Sequence, residues 1–465
     1  MVYSWRDYKL VDEPRFELRD FTFITLGRDD DFQAAVNRFK LNAEKGMREL
    51  LRIDEYWGAG KSSFCYNLCY HINKDLFFDD KMEQVDSREK VFTHVLAIYT
   101  PRPCRLEALL DSTCKEGLSI PWRGREGKVG IDLRRKSLWL ECVRKIAFIA
   151  LLKAIASISK EELLEKCVGE TMDRKDLFDK IINIIKLKTK DFIQKVDEIG
   201  AGNEDVYEIL ELILRYYMDF YMSPIDIPRH VRYSDLINLV PRLIWPVGHE
   251  KFKNSYDSLF NVPPGKGLNF IPAFCRLCRD AGIFLVVFID EMERLPLLPS
   301  SVDGDLHDLA INALEYSSLT LVLIFRRELT EFLKKSEKRL HIYSTVHDGL
   351  RDFPVAVKIT DIDKFSSVAI NVTKEVLDIW RPENEVSSIF PFTEPFIRRI
   401  CSHPDVLGFV RRYIRVMLDV LKWSLNYERP SVELTENLFD VPEVQKIIET
   451  VKKVEEEEAK KLPPE

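Results

Sequence analysis

The sequence predicts an α/β fold: a parallel sheet covered by helices, interrupted by a large helical insertion and followed by a small helical domain. Three observations carry this. Two apolar runs, Ile283 to Ile289 (IFLVVFI) and Leu319 to Phe325 (LTLVLIF), lack polar alternation and have the length and β-branching of strands buried on both faces. Strand-like and helix-like segments alternate, as in an α/β layer structure. Between Arg102 and about Val262 that alternation gives way to long helical stretches.

Taken in order, residues 20 to 44 read as a short strand, a polar turn (Leu26-Gly27-Arg28-Asp29-Asp30-Asp31) and a helix. The turn's carboxylates suit a helix N-terminus, and Phe32, Ala35, Val36, Phe39 and Leu41 fall on or near one face. Glu49 to Asp54 (ELLRID) is a short apolar strand ending in a Gly-rich turn, and Ser62 to Ile72 reads as a helix. Val91 to Tyr99 (VFTHVLAIY) is a second strand, bounded by Pro101 and Pro103. Ser137 to Ser157, Asp176 to Val196 and Val206 to Tyr221 are the main helices of the insertion. Pro354 to Ile359 (PVAVKI) is a weaker last strand, and Asp361 to about Tyr427 is helical, punctuated by Pro391 and Pro404. Val444 to Leu462, with its Glu455–Glu458 run, reads as an exposed helix that frays. The expected organisation is a lead-in (1–44), the first half of an α/β core (45–102), the insertion (103–262), the second half of the core (263–360), the helical domain (361–428) and a charged tail (429–465).

The 465 residues exceed one ordinary core and imply two to four folding units. Hydrophobic residues at 46% and charged residues at 31% give a globular balance, and a net charge of -7 argues against a chain that is basic throughout. No signal peptide is apparent, and the longest apolar stretch, Ile146 to Ile158, is too short for a membrane span and contains Lys153. The expectation is a cytoplasmic protein without membrane contact. Nine scattered cysteines form no disulfide framework, and the lone Cys275/Cys278 pair, with no partner at zinc spacing, reads as buried helix thiols.

Glu55-Tyr56-Trp57-Gly58-Ala59-Gly60-Lys61-Ser62 matches the phosphate-loop pattern GxxxxGK[ST] at every fixed position except the first, where Glu55 stands for glycine. Gly58 and Gly60 let the backbone turn tightly around a phosphate group; Ala59 and Ser63 complete the cradle. Lys61 supplies a point charge for the β- and γ-phosphates, and Ser62 a hydroxyl for magnesium. The helix that opens near Gly60 offers its positive end to the same phosphates. A second motif, Phe284 to Glu291, is an apolar strand ending in two acids. Asp290 suits the hydration shell of magnesium, and Glu291 can take a proton from, or orient, an attacking water. Together these predict ATP and Mg2+ as ligands; no Asn/Thr-Lys-x-Asp guanine-reading motif is apparent.

With those motifs the chain resembles ATPases of the AAA+ superfamily, in particular the origin-recognition-like branch that includes many archaeal and mobile-element ATPases. Leu26 to Phe32 is similar to that branch's Gly-Arg-acid lead-in, and Asp290-Glu291-Met292-Glu293-Arg294-Leu295 to its DE-x-E-x-L acidic motif. The resemblance covers roughly 20 to 100 and 265 to 425. It implies a five-stranded parallel P-loop NTPase sheet with a C-terminal helical lid. It also implies roles for Arg326, at the end of a strand that carries a phosphate-sensing residue in relatives, and for Arg351, where relatives place an arginine that completes a neighbour's site. Asp405, in Ser402-His403-Pro404-Asp405, stands where relatives often carry a sensing arginine, with Arg411 and Arg412 further along as weak substitutes.

The expected role is a nucleotide-driven switch or machine acting on DNA, with self-association or a protein partner held by the insertion. The alternative is a nucleotide-gated interaction scaffold with little hydrolysis. The stretch Trp122 to Lys128, followed by Arg134-Arg135-Lys136, has the cation-and-aromatic make-up of a nucleic-acid contact, but a solvated basic loop is the favoured reading.

Overall fold

A computed structural model describes residues 4–10, 28–45, 47, 49–56, 58–77, 94–100, 136–169, 171–185, 189–220, 237–260, 278, 281–292, 319–326, 350–378, 380–381, 386, 388–429 and 431–460. Strands β1 (Glu49–Glu55), β2 (His94–Thr100), β3 (Ile283–Ile289), β4 (Leu319–Arg326) and β5 (Leu350–Asp352) form one sheet in the order β2-β3-β4-β1-β5. Every pairing is parallel. β3 and β4 are buried at every position, which is why their sequences are continuous apolar runs.

The order positions the site. After β1 the chain passes to β2 at one edge, whereas after β4 it passes across β1 to β5 at the other edge. Adjacent strands whose connections diverge leave a crevice at their C-terminal ends. The register brings Glu55 opposite Arg326 at that end, with Thr100 opposite Ile289 two strands away.

The pleat sends alternate side chains to two cores. Leu285, Val287 and Ile289 of β3, with Leu321, Leu323 and Phe325 of β4, join a cluster built with the insertion helices. Those helices are α3 (Lys136–Ser157), α4 (Met172–Ile184), α5 (Thr189–Gly200), α6 (Asp205–Phe220) and α7 (Glu250–Phe260). The insertion is therefore not a separate ball: its helices cover one face of the sheet. Phe284, Val286 and Phe288, with Val322 and Ile324, face the other way. They pack with α1 (Asp29–Glu44), α2 (Lys61–Phe77) and the C-terminal helices α8 (Ile362–Asp378), α9 (Glu394–Ser402), α10 (Val410–Asn426) and α11 (Pro442–Lys460). Arg28 ties this side together, donating to the carbonyls of Val357 (2.8 Å) and Ala356 (2.6 Å) and to Asp31 (2.7 Å), over the ring of Phe64.

Three expectations are corrected. The last strand is Leu350–Asp352, not Pro354 to Ile359; Phe353 N makes the last bond to β1, at the Arg52 carbonyl, and Pro354 has no N–H to continue. Asp176 to Val196 is not one helix but parts of α4 and α5, the second opening at Thr189 with Asp191 in its first turn. The tail helix α11 is not an exposed, fraying one. Val444, Ile448 and Val451 are buried in the C-terminal core, and Glu455 is buried with them.

Among the described residues, no helix is long and apolar enough to cross a membrane. Cys278 is buried as expected, and so are Phe148 and Leu151 of α3. Cys275, the basic stretch 122–136 apart from its last residue's backbone, and the first expected strand lie outside the described residues.

Candidate functional site

β1 carries the chain to the C-terminal edge of the sheet, and a tight turn reverses it into α2. The turn needs left-handed backbone at Gly58 (φ 79°) and Gly60 (φ 87°), where an L side chain would be strained. The helical ladder starts with Phe64 N bonding the Gly60 carbonyl at 2.8 Å, so α2 presents its N-terminal end to the turn. Lys61 folds back across it, Nζ donating to the carbonyls of Glu55 (2.7 Å) and Tyr56 (3.0 Å). An ammonium is thus held at the mouth of a loop of backbone amides. Ala59 is buried beneath it, and the buried Ser63 uses its carbonyl to accept from Asn67 at 2.8 Å.

Asp290 ends β3 at the same edge, almost fully buried. Its Oδ2 accepts from the Tyr99 hydroxyl at 2.7 Å and its Oδ1 from the backbone N of Glu291 at 2.7 Å. Tyr99, at the end of β2, also hydrogen-bonds the Ser62 hydroxyl, so one phenol links the serine of the turn to the acid of β3. Burial, then the Asp290 charge, push this phenol well above its ordinary pKa, keeping it a neutral donor. Burial and Asp290 likewise hold the Cys65 thiol protonated, so it is no nucleophile. Glu291, half-buried, has φ 50°, a left-handed conformation that costs about 1 kcal/mol or more for a non-glycine residue. The Asp290 Oδ1 bond to its N–H fixes that conformation and turns its side chain off the strand axis.

Arg326 is buried at the end of β4, opposite Glu55 of β1. Lys61, Ser62, Asp290, Glu291 and Arg326 therefore lie at one edge of the sheet. Arg351 does not join them. It lies within β5 opposite Leu51, exposed, with its guanidinium 3.8 Å from Glu49 Oε1 at the start of β1, the end of the strand remote from the turn.

Two participants had gone unread in the sequence. Tyr99 is one. The other is Glu455 of α11, which reaches the turn beside the start of α10. Arg411 N donates to the Gly58 carbonyl at 3.2 Å, and a Cβ placed on Gly58 would stand 3.0 Å from Glu455 Oε2. Arg412 Nε donates to that same Oε2 at 2.8 Å, and its Nη1 to the Asp405 carbonyl at 2.8 Å. Lys452 fixes α11 to the Asp405 carboxylate at 2.7 Å. Asp405 thus anchors Arg412 and α11. Burial pushes the Glu455 carboxyl above its usual range, against the pull of Arg412, Arg411 and Arg415.

No protein-family model, curated protein or solved structure gives a significant match to the chain.

Proposed function

We propose that this protein binds ATP at the Gly58–Ser62 turn and hydrolyses it, as a P-loop ATPase of AAA+ type with α8 to α10 as its lid. The observation that carries this reading is the juxtaposition, through Tyr99, of Ser62 at the start of α2 with Asp290 at the end of β3. A glycine turn alone is a common feature. A glycine turn whose lysine and serine meet a buried acid at a switch point of a parallel sheet is what phosphoryl transfer needs.

In this reading the turn's amides and the end of α2 cradle the phosphates, and Lys61 exchanges its two carbonyl partners for phosphate oxygens. Ser62 and Asp290 offer a hydroxyl and a carboxylate oxygen, the hard donors that magnesium takes; the ion, when bound, neutralises charge on the phosphate oxygens. Glu291 orients a water for attack on the terminal phosphorus. The bond from that phosphorus to the bridging oxygen breaks, its electron pair leaves with ADP, and the water's proton passes to the Glu291 carboxylate. Arg326 supplies positive charge at the end of β4. Action on DNA and self-association through Arg351 extend the same reading by resemblance alone. The alternative, a nucleotide-gated scaffold, predicts ATP binding with little turnover.

The test is magnesium-dependent ATP turnover by the wild type and by Glu291→Gln, each with and without DNA. Turnover by the wild type, with a variant that binds ATP but stalls, is the expected result. Equal, negligible turnover in both, with ATP still bound, leaves the scaffold; no ATP binding at all sinks the nucleotide reading. Unchanged rates with DNA and no retention on filters at low salt remove the DNA part.

A further inference from the structure

The residue pressed against the glycine turn is an acid from the far end of the chain. A turn of backbone amides at a helix N-terminus attracts anions. Here the Glu455 carboxylate lies against Gly58: its Oε2 would stand 3.0 Å, and its Oε1 3.4 Å, from a Cβ on that residue. Glu455 is 1% exposed, and among the described residues its Oε1 has no hydrogen-bond partner. A buried carboxylate with one oxygen unsatisfied is costly, so this contact is weaker than its burial suggests. The setting is cationic: Arg412 bonds it, and Arg411 and Arg415 add their charges.

We propose that α11 is a built-in inhibitor of the nucleotide site, with the Glu455 carboxylate standing where a nucleotide's phosphate would come and leaving when the nucleotide binds. The proposal rests on the nucleotide reading and adds its regulation. Two anions cannot share the Gly58 turn without strong like-charge repulsion. ATP must therefore displace Glu455, and with it the segment of α11 that Lys452 and Arg412 hold against the start of α10. The helix itself stays tethered by Val444, Ile448 and Val451. Only its last two turns need to swing, so each round of binding and release would move the C-terminal end of the chain.

The experiment uses the full chain. Calorimetric titration of MgATP into the wild type, Glu455→Gln and Lys61→Ala is paired with hydrogen exchange over 442–460 in the wild type, with and without MgATP. Glu455→Gln keeps the size of the side chain and removes the competing charge; it should bind MgATP at least fivefold more tightly. In the wild type, MgATP should speed exchange in 452–460 while leaving 444–451 protected, a response that needs no variant to fold and that Lys61→Ala should lose. If the wild type and Glu455→Gln bind MgATP equally and exchange in 452–460 does not change, the inhibitor is overturned and the nucleotide reading stands. If neither binds MgATP, the nucleotide reading falls and takes the inhibitor with it.

Discussion

The two faces of the sheet carry comparable amounts of core but are built for different ends. The insertion face is mostly aliphatic, and several of its buried polar groups close on one another. Glu211 accepts from Trp245 Nε1 (2.9 Å), Arg215 (2.7 Å) and Arg242 (3.3 Å), while Arg144 grips Asp197 with two nitrogens (2.9 and 2.5 Å) and Tyr207 donates to the same acid at 2.7 Å. Hydrogen-bonded networks of this kind rigidify a core. The opposite face is aromatic, with Phe39, Phe64, Phe288 and Phe353 in mutual edge-on or tilted contacts. Its helices α2, α10 and α11 project polar side chains to the sheet's C-terminal edge. Turn, acids and the Glu455 latch all sit at the end of that face. The lesson is a division of labour: the insertion backs the sheet, and the aromatic side carries the residues of the proposed nucleotide site.

Lys61→Ala should break that division most sharply. Loss of the ammonium should weaken ATP binding by on the order of 100-fold, checked by calorimetry, with the thermal midpoint almost unchanged. Next, Phe192→Ala removes a fully buried ring packed edge-on against Phe148 on the insertion side. It should cost about 3–5 kcal/mol in urea unfolding, yet leave the ATP dissociation constant unaltered below the transition; a shift of tenfold or more would show that the faces are coupled. Tyr99→Phe deletes the hydroxyl between Ser62 and Asp290. About 1 kcal/mol of stability should go with it, and the magnesium dependence of turnover should move to higher concentration; an unmoved magnesium curve would make Tyr99 a packing residue only.

The smallest effect is a pH effect on the aromatic side. Burial pushes the Asp31 carboxyl up, but bonds from Lys364 and Arg28 outweigh it and hold it below the ordinary aspartate range. The group's contribution to stability is therefore present above its unfolded pKa and lost as pH falls through the lower folded value. The stability gap between wild type and Asp31→Asn should be measurable at about pH 7 and close towards about pH 3. A gap that widens in acid would contradict the assignment.

Much of this was legible in the sequence. Strands β3 and β4 announced themselves because burial on both faces leaves no polar alternation, and the turn and acid pair because their chemistry fixes residue types at fixed spacing. β5 was not legible: three residues, two of them charged, on an edge of the sheet carry no pattern, whereas Pro354 to Ile359 looked more strand-like and could not pair. Tyr99 was hidden in an apolar strand, since only the fold reveals where its hydroxyl points. Glu455 was hidden in plain view. Among Glu455, Glu456, Glu457 and Glu458 composition gives no reason to choose one, but the spacing of Val444, Ile448, Val451 and Glu455 puts the first acid of the run on the buried stripe of α11. The sheet face that the insertion would cover could not be read from periodicity, which reports that a helix has an apolar side but not what lies against it.

The sheet order has a consequence for how the molecule comes into being. β1, the strand that delivers the glycine turn, is flanked by β4 and β5, so Glu49 finds its partner at Thr320 and Leu50 at Leu350. A ribosome releases β1 long before either neighbour exists. The helices α3 to α7, whose contacts are local, can condense in the meantime, while the strand that leads into the glycine turn waits with its apolar side chains uncovered. Synthesis of this chain thus has a late step: β1 can pair only when the second half of the sheet arrives.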